Sequence, residues 1–385
     1  YISILLTRHP ILLDDLLIGY SLADFDLETL DKSLEKHLSS AEQGDLEQQM
    51  NLLREFHNSK LLGVASLDIS SKLSAKDTGK SLSAIAEACV KASLKLSIHD
   101  IVSSHGTPTN YTQDTLPFCV IAYGKLGSRE LLFGSDLDLV FISAGLPDSD
   151  RTSGPRKVYI PQFFARIGQR LVHIISTRTP AGRLYEVDMR LRPSGDSGPL
   201  VTTISRMQSY QRKKAWTWEH QALVRARVIA GDQALAEEFN VLRKEILSRP
   251  RDDIKLRKDI VEMREKLRSA KISSDSDEFD LKQGHGGIVD IEFMVQYMVL
   301  RWAHEYPQLT RHTESLELLD TLAGLELLEP NHHRILSGAL SSWLEKSYQL
   351  KLSDHDAVIP GSDEKPLRQQ VTEIWNNMFA RNNGS

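Results

Sequence analysis

The segment from Leu116 to Ile142 constrains the fold of this chain most strongly. It opens with a short apolar run, Leu116-Pro-Phe-Cys-Val-Ile-Ala-Tyr123, which is typical of a buried strand and ends at Gly124. A second apolar run, Leu137-Asp-Leu-Val-Phe-Ile142, begins roughly ten residues later. Two short buried runs separated by a glycine-containing segment predict neighbouring strands joined by a turn whose backbone can approach a phosphate closely.

The second of these strands begins with two carboxylates, Asp136 and Asp138. Because side chains alternate along a strand, residues two apart lie on the same face. Two adjacent carboxylates repel each other unless a cation lies between them, and Mg²⁺ prefers carboxylates together with phosphate oxygens. An Asp-x-Asp pair alone is common in turns, but after a strand and a glycine turn it predicts a metal–nucleotide site.

A third carboxylate is expected on a neighbouring strand, because two metal ions need more ligands than one Asp pair supplies. Polar and apolar residues alternate from Leu184 to Arg192, which predicts a strand with Asp188, Arg190 and Arg192 on its polar face. Arginine side chains suit phosphate oxygens. The alternative is an exposed polar stripe in which Asp188 only pairs with an arginine.

Helical periodicity dominates the rest of the chain. Residues 45–56 and 81–96 have helical spacing, with a polar break at 70–79 between them. We predict an α+β, mostly helical protein in three domains: an N-terminal helical region (1–105), a catalytic domain with a small mixed sheet (106–248) and a C-terminal helical bundle (249–385).

Composition excludes several classes of protein. The net charge of −5 argues against a general nucleic-acid binder, and no apolar run is long enough for a membrane helix. Cys89 and Cys119 are too few for a disulfide scaffold, which favours a reducing cytoplasm. The chain begins at Tyr1 without a signal-peptide pattern, as expected of a processed chain or a piece of a longer protein.

Charge is distributed unevenly along the chain. Residues 151–250 contain 18 Lys and Arg against 8 Asp and Glu, within an acidic whole. This excess favours a site for a compact anion such as a nucleoside triphosphate, and clustering on a solvated surface explains it equally well.

The motifs together resemble a known family. Gly124 to Asp138 resembles the signature of the DNA polymerase beta-like nucleotidyltransferases, although Lys125 stands where many members have Gly or Ser. The resemblance narrows to the glutamine synthetase adenylyltransferases and extends over nearly the whole chain. The motifs that carry it are Gly124-Lys-Leu-Gly-Ser128, Phe133-Gly-Ser-Asp-Leu-Asp-Leu-Val-Phe141, Tyr185-Glu-Val-Asp-Met-Arg-Leu-Arg192, Ala215-Trp-Thr-Trp-Glu-His-Gln221 and Gly286-Gly-Ile-Val-Asp-Ile-Glu-Phe293.

The resemblance implies a reaction. Members of the family carry two tandem halves, one that adds AMP to a tyrosine of glutamine synthetase and one that removes it by phosphorolysis. Gly134-Ser-Asp136 and Trp216-Thr-Trp218 resemble the adding half, so we expect transfer of AMP from ATP with release of pyrophosphate. The alternatives are the removing half, which would use the same carboxylates, and a catalytically silent nucleotide-sensing module.

The resemblance also implies the site and its partners. Two Mg²⁺ ions would be held by Asp136, Asp138 and Asp188, with Asp188 either accepting the tyrosine proton or orienting the oxygen. The triphosphate would contact Gly124, Lys125, Ser135, Arg190 and Arg192. Glutamine synthetase is the expected protein substrate, with the PII signal protein and glutamine as regulators.

Two further pairs of residues each have two interpretations. Trp216 and Trp218 precede a helix, and core packing is favoured over stacking on adenine for both. Asp290 and Glu292 open an apolar helix, where acids are favoured by the helix dipole. A role for this acidic pair in a cleft facing the catalytic domain is the alternative.

Overall fold

The computed structural model describes residues 6–7, 10, 12–13, 19–42, 44–269 and 278–379. These residues form two compact units. The sheet unit comprises the chain up to Lys214 together with Ala226–Leu242, and the helical unit comprises Ala215–Arg225 and the chain from Arg243 onward. The N-terminal helices therefore belong to the same unit as the sheet. The division into three domains stays a prediction.

From Leu27 to His105, the described residues of the sheet unit form three long helices. Each is preceded by a residue whose side chain accepts a backbone N–H of the first turn, and these capping residues are Asp26, Asp45 and Ser74. The helices are α1 (Leu27–Leu38), α2 (Leu46–Ile69) and α3 (Ala75–His105). The polar break predicted at 70–79 is shorter than expected, because the Ser74 cap starts α3 inside it.

The sheet unit contains one small mixed sheet. Its strands are β1 (Phe118–Ala122), β2 (Leu137–Ser143), β3 (Val187–Asp188), β4 (Val201–Thr203) and β5 (Arg227–Gly231). The antiparallel strands β2, β1 and β5 are adjacent in that order. Strands β3 and β4 both pair parallel with β2, β3 at its beginning and β4 at its end. The prediction of an α+β, mostly helical fold is confirmed.

The strand predicted from 184 to 192 is much shorter in the structure. Only Val187 and Asp188 pair with β2. The chain turns immediately afterwards, because the Arg190 N–H bonds to the Asp188 carboxylate and the Arg192 N–H bonds to the Met189 carbonyl. The predicted strand is therefore limited to two residues, and the alternation of polar and apolar residues after Asp188 does not correspond to strand faces.

Helix α5 (Ile160–Ser176) covers the sheet. A side chain at Gly168 would lie 3.0 Å from Phe141 of β2 and 3.1 Å from Val201 of β4, so glycine permits this close approach. The Phe118 and Phe164 rings stack with centroids 6.2 Å apart. The unit is completed by α4 (Gly124–Gly127) and α6 (Ile204–Lys213), and α8 (Gln233–Leu247) contributes to both units.

Arg54 of α2 is fully buried and donates hydrogen bonds to backbone carbonyls at the C-terminal end of α5. Its guanidinium donates to the carbonyls of Ile174 and Thr177 at 2.8 and 2.6 Å, and to that of Gly182 at 3.0 Å. The last carbonyls of a helix have no partner within the helix. A buried arginine thus supplies donors that water would supply at an exposed helix end.

His57, also on α2, gives the sheet unit a pH dependence. Its ring is 5% exposed and lies edge-on to Tyr185 with centroids 4.7 Å apart. Burial lowers the pKa of His57 from 6.5 to about 4, opposed by a hydrogen bond with Asn58, while the Arg54 charge lowers it further. The ring is therefore neutral in the folded protein throughout the neutral range.

Acid is expected to destabilise the sheet unit through His57. Between pH 6.5 and about 4 the unfolded chain binds a proton that the folded chain does not, so stability falls as pH falls. The full effect is about 3 kcal/mol in the free energy of unfolding. Urea denaturation across this window should show a shallower decline for His57→Gln than for the wild type. The exposed His99→Gln should keep the wild-type slope, and an unchanged slope in His57→Gln would contradict the assignment.

The helical unit is built from α7 (Thr217–Val224), α9 (Asp253–Ser269), α10 (Ile288–Trp302), α11 (Ser315–Gly324), α12 (Pro330–Leu352) and α13 (Lys365–Phe379). Two short antiparallel strands, β6 (Glu278–Asp280) and β7 (Val358–Pro360), accompany them. In the part of the chain that the structure describes, no helix combines the length and apolarity needed to cross a membrane.

The prediction that Trp216 packs in the core is wrong. Its side chain is 70% exposed, while Trp218 is half-buried. Trp216 is the residue that precedes the first turn of α7, and its backbone N–H donates to the Glu219 carboxylate at 2.8 Å. A residue at this position lies outside the helix face that packs on the core.

Asp290 and Glu292 have structural partners inside the helical unit. The Asp290 carboxylate, 3% exposed, accepts from Arg264 at 2.5 Å, from Arg268 at 3.0 Å and from the Gly286 N–H at 2.7 Å. Glu292 pairs with the buried Arg225 at 2.6 Å. Both carboxylates are thus neutralised by arginines within this unit.

Removal of one partner from the Asp290 cluster should destabilise the helical unit strongly. Arg264→Met keeps most of the side-chain volume but leaves a buried carboxylate short of positive charge, which costs about 3 kcal/mol. Urea denaturation measures this loss. Lys258→Met, on the same helix and exposed in its pair with Glu262, should cost less than about 0.5 kcal/mol. Equal losses in the two variants would contradict the structure.

Candidate active site

The register of the sheet brings two of the predicted carboxylates together. Strands β2 and β3 pair in parallel, with Leu137 opposite Val187 and Asp138 opposite Asp188. Asp136 directly precedes β2 and is exposed, and both paired aspartates are partly exposed. The start of β2 therefore brings Asp136 and Asp138 close to Asp188, which lies fifty positions after Asp138 in the sequence.

The backbone of Gly124 lies directly against the Asp138 carboxylate. A Cβ atom at Gly124 would be 2.2 Å from Asp138 Oδ2, which is closer than atoms can approach. Gly124 also has φ of +55°, in the left-handed region that favours glycine. The Tyr123 N–H donates to the Asp138 carbonyl at 2.9 Å. The turn after β1 therefore fixes the backbone of Asp138 and leaves room for its side chain.

The Asp188 carboxylate is bonded to Arg190. It accepts the Arg190 backbone N–H at 2.8 Å and the Nε–H at 2.8 Å, and Nη2 makes a further short contact. These hydrogen bonds hold the pKa of Asp188 below its usual value, although partial burial opposes them. Asp188 also raises the pKa of Arg190, with smaller contributions from Asp196 and Asp138.

Lys125 and Ser135 both lie in the segment that joins β1 to β2. The Ser135 hydroxyl accepts the Leu132 N–H at 3.2 Å, and the Ser135 N–H donates to the Leu132 carbonyl at 3.1 Å. The hydroxyl proton is thus not used by this turn. Lys125 follows Gly124 in α4, and its carbonyl accepts the Glu130 N–H at 2.9 Å. A triphosphate contact by either side chain stays a prediction.

Arg192 serves the turn that follows β3. Its guanidinium donates to the Met189 carbonyl at 2.8 Å, lies 3.4 Å from the Gly198 carbonyl and pairs with Asp196 at 3.4 Å. Only 12% of the side chain is exposed. A phosphate contact was predicted for Arg192, and the structure assigns its visible hydrogen bonds to holding the loop 192–198.

Two residues outside the predicted site, Arg227 and Glu87, support the glycine turn. Arg227 of β5 donates to the carbonyls of Gly127 and Leu126 at 3.2 and 3.3 Å, and pairs with Glu87 of α3 at 2.5 Å. The Glu87 and Arg227 side chains are 10% and 13% exposed. No short-range spacing reveals this pair, since 140 residues separate its members.

The donor set at the start of β2 is suited to Mg²⁺ in type and in backbone position. Carboxylate oxygens are hard ligands, two of the carboxylates are paired in register, and the absence of a side chain at Gly124 leaves room for the Asp138 carboxylate. Among the described residues, no three His, Cys, Asp or Glu side chains form a group that could hold a metal in their present positions. Asp188 is directed at Arg190 instead.

A glycine turn and paired carboxylates on a small mixed sheet are what a metal-dependent nucleotide site requires. Comparison with protein families narrows the class. Residues 1–241 match the family model described as glutamate-ammonia ligase adenylyltransferase, and residues 255–354 match the model described as GlnD PII-uridylyltransferase. The chain belongs to the glutamate-ammonia ligase adenylyltransferase family, which confirms the resemblance seen in its motifs.

Three relatives are described as bifunctional glutamine synthetase adenylyltransferase/adenylyl-removing enzymes. The protein of Nitrosococcus oceani is 43% identical over 96% of this chain and 39% of its own length. That of Thioalkalivibrio sulfidiphilus is 42% identical over 97% and 39%, and that of Shewanella loihica is 40% identical over 98% and 40%. The chain thus spans about two fifths of the length of these curated relatives.

Gly124→Ala should disable the site through Asp138. The added Cβ would overlap Asp138 Oδ2, so the carboxylate must move, and we expect affinity for Mn²⁺–ATP to fall at least about tenfold. Gly134→Ala is a matched control, because Gly134 also has positive φ but open space around its Cβ position. Both variants should lose about 1 kcal/mol of stability. Equal binding by the two variants in calorimetry would contradict a role for the Gly124–Asp138 contact.

Proposed function

We propose that this chain transfers AMP from ATP to a tyrosine hydroxyl of glutamine synthetase and releases pyrophosphate. The observation that carries the proposal is the register that places Asp138 opposite Asp188, with Asp136 beside them and the Gly124 turn against Asp138. Membership of the glutamate-ammonia ligase adenylyltransferase family supports the choice of reaction. The printed names of the relatives support glutamine synthetase as the substrate.

At the α-phosphorus the reaction makes one bond and breaks one. The tyrosine oxygen bonds to the α-phosphorus, the bond from that phosphorus to the bridging oxygen breaks, pyrophosphate leaves and the hydroxyl proton is released. A tyrosine hydroxyl has a pKa of about 10 and is a poor nucleophile at neutral pH. Bound Mg²⁺ would supply the charge that activates this oxygen and neutralises the leaving group.

The residues of the chain have distinct parts in this proposal. Asp136 and Asp138 would hold two Mg²⁺ ions, and Asp188 would complete the set and orient the attacking oxygen. Gly124 would allow the turn to approach the triphosphate, and the free proton of the Ser135 hydroxyl suits a phosphate oxygen. Lys125, Arg190 and Arg192 would add positive charge near the triphosphate. Arg190 is the more exposed of the two arginines.

The partners proposed for this chain rest on its family membership and on the names of its relatives. Glutamine synthetase is the proposed protein substrate, and the PII signal protein and glutamine are proposed regulators. The name of the second matching family model includes PII, which supports residues 255–354 as the place to seek a PII contact. The two buried, unpaired thiols, Cys89 and Cys119, agree with a reducing cytoplasm as the proposed location.

AMP transfer tests the proposal directly. The chain is mixed with Mg²⁺, unmodified glutamine synthetase and ATP labelled at the α-phosphate, and label on glutamine synthetase is measured. Asp136→Ala, Asp138→Ala and Asp188→Ala should each lower the rate about 10³-fold, because each removes charge that the transition state requires. The exposed Glu186→Gln, next to β3, should transfer AMP at the wild-type rate.

If glutamine synthetase is not labelled, two further measurements distinguish the removing half from a nucleotide-sensing module. Absence of label, together with ADP formation from adenylylated glutamine synthetase and phosphate, would assign the removing activity to this chain. Absence of both reactions with ATP still bound would assign a nucleotide-sensing module. Retention of full transfer by Asp138→Ala would contradict the site itself.

A further inference from the structure

Both oxygens of the Asp188 carboxylate are engaged by a single residue. Arg190 donates its Nε–H to Oδ2 at 2.8 Å and lies 3.0 Å from Oδ1 through the same atom, while its backbone N–H reaches Oδ1 at 2.8 Å. The carboxylate is 15% exposed and the arginine 73%. A positive charge on an exposed side chain thus contacts a carboxylate that is itself mostly buried.

The position of Arg190 also brings it under the influence of the neighbouring carboxylate. Asp138, opposite Asp188 in the sheet, adds to the stabilisation of the charged guanidinium, as does Asp196. Arg192, two residues on, is different, because its guanidinium is committed to loop carbonyls and is mostly buried. Of these two neighbouring arginines, Arg190 is the one whose guanidinium can leave without opening the loop.

We propose that Arg190 exchanges partners during binding: it competes with a divalent cation for Asp188 and moves to the triphosphate when nucleotide enters with the metal. This inference rests on the proposed function, since it takes Asp188 as a metal ligand. Arg190 makes two contacts to each oxygen of Asp188, which uses the roughly four acceptor positions of a carboxylate, so a cation that binds either oxygen must displace part of this interaction. Phosphate oxygens offer the guanidinium an equivalent charged partner in the same site.

The exchange has a thermodynamic consequence. A cation binding alone must displace Arg190 and leave its charge without a partner, whereas a cation arriving with a triphosphate supplies one. Metal and nucleotide therefore assist each other in binding, and the coupling is reciprocal. Arg190 makes the site bind the metal–nucleotide complex in preference to the free metal.

Manganese binding to the full chain tests this inference. Mn²⁺ is titrated by calorimetry without nucleotide into the wild type, Arg190→Gln, Arg190→Ala and the control Arg183→Gln. Arg183 is a partly exposed arginine next to β3 that pairs with Glu186 and does not contact Asp188. Loss of the competing guanidinium should tighten Mn²⁺ binding about fivefold in both Arg190 variants, the factor that matches ~1 kcal/mol for an ion pair at a surface. Arg183→Gln should bind like the wild type.

The same proteins are then titrated with Mn²⁺ and α,β-methylene-ATP, whose α–β bond cannot be cleaved. Here the Arg190 variants should bind the nucleotide about fivefold more weakly than the wild type, which reverses the order found with Mn²⁺ alone. This reversal separates partner exchange from a merely structural role, which would weaken both, and from a simple phosphate contact, which would weaken only the second.

Asp138→Asn distinguishes the failure of this inference from the failure of the proposed function. Equal Mn²⁺ affinity in the wild type and both Arg190 variants, with binding lost in Asp138→Asn, would overturn partner exchange and leave the metal site intact. Mn²⁺ binding that is absent from every protein, or unaffected by Asp138→Asn, would overturn the metal site and with it this inference.

Discussion

The geometry of the candidate site depends on the close approach of the Asp138 carboxylate to the backbone of Gly124. That approach is possible only without a side chain at Gly124, and it is held by the hydrogen bond from the Tyr123 N–H to the Asp138 carbonyl. The position of β2 relative to the turn is thereby fixed. Because β3 is aligned on β2, the location of Asp188 follows from the same contact. Arg227 and Glu87 hold the other side of the turn.

Much of this arrangement could be predicted from short-range patterns. The two apolar runs, the glycine between them and the Asp-x-Asp spacing identify β1, the turn and β2, because each depends on neighbours in sequence. The extent of β3 could not be predicted, since alternating polarity does not determine backbone hydrogen bonds. The Glu87–Arg227 pair and the exposure of Trp216 depend on tertiary packing and on a helix start, respectively. The local periodicity of the sequence predicts neither the Glu87–Arg227 pair nor the exposure of Trp216.

The excess of positive charge in residues 151–250 lies mostly on exposed side chains, as clustering on a solvated surface predicts, but part of it does not reach the surface. Several of its arginines are internal structural groups. Arg243 donates to the carbonyls of Leu223, Val224 and Thr310, Arg225 pairs with Glu292, and Arg227 supports the glycine turn. A planar guanidinium can satisfy several carbonyls at once, which lysine cannot do. A charge count along a sequence therefore overstates how much of that charge reaches the surface.

The brevity of β3 bears on how the site moves. Asp188 stands on a strand of two residues, whereas Asp138 stands on a seven-residue strand that is covered on both edges. A segment with so few ladder hydrogen bonds opens locally at a small fraction of the free energy of global unfolding. The site thus combines a stable strand, β2, with a short strand, β3, that opens more easily. The backbone amides around Asp188 should therefore exchange with solvent well before those of β1 and β2.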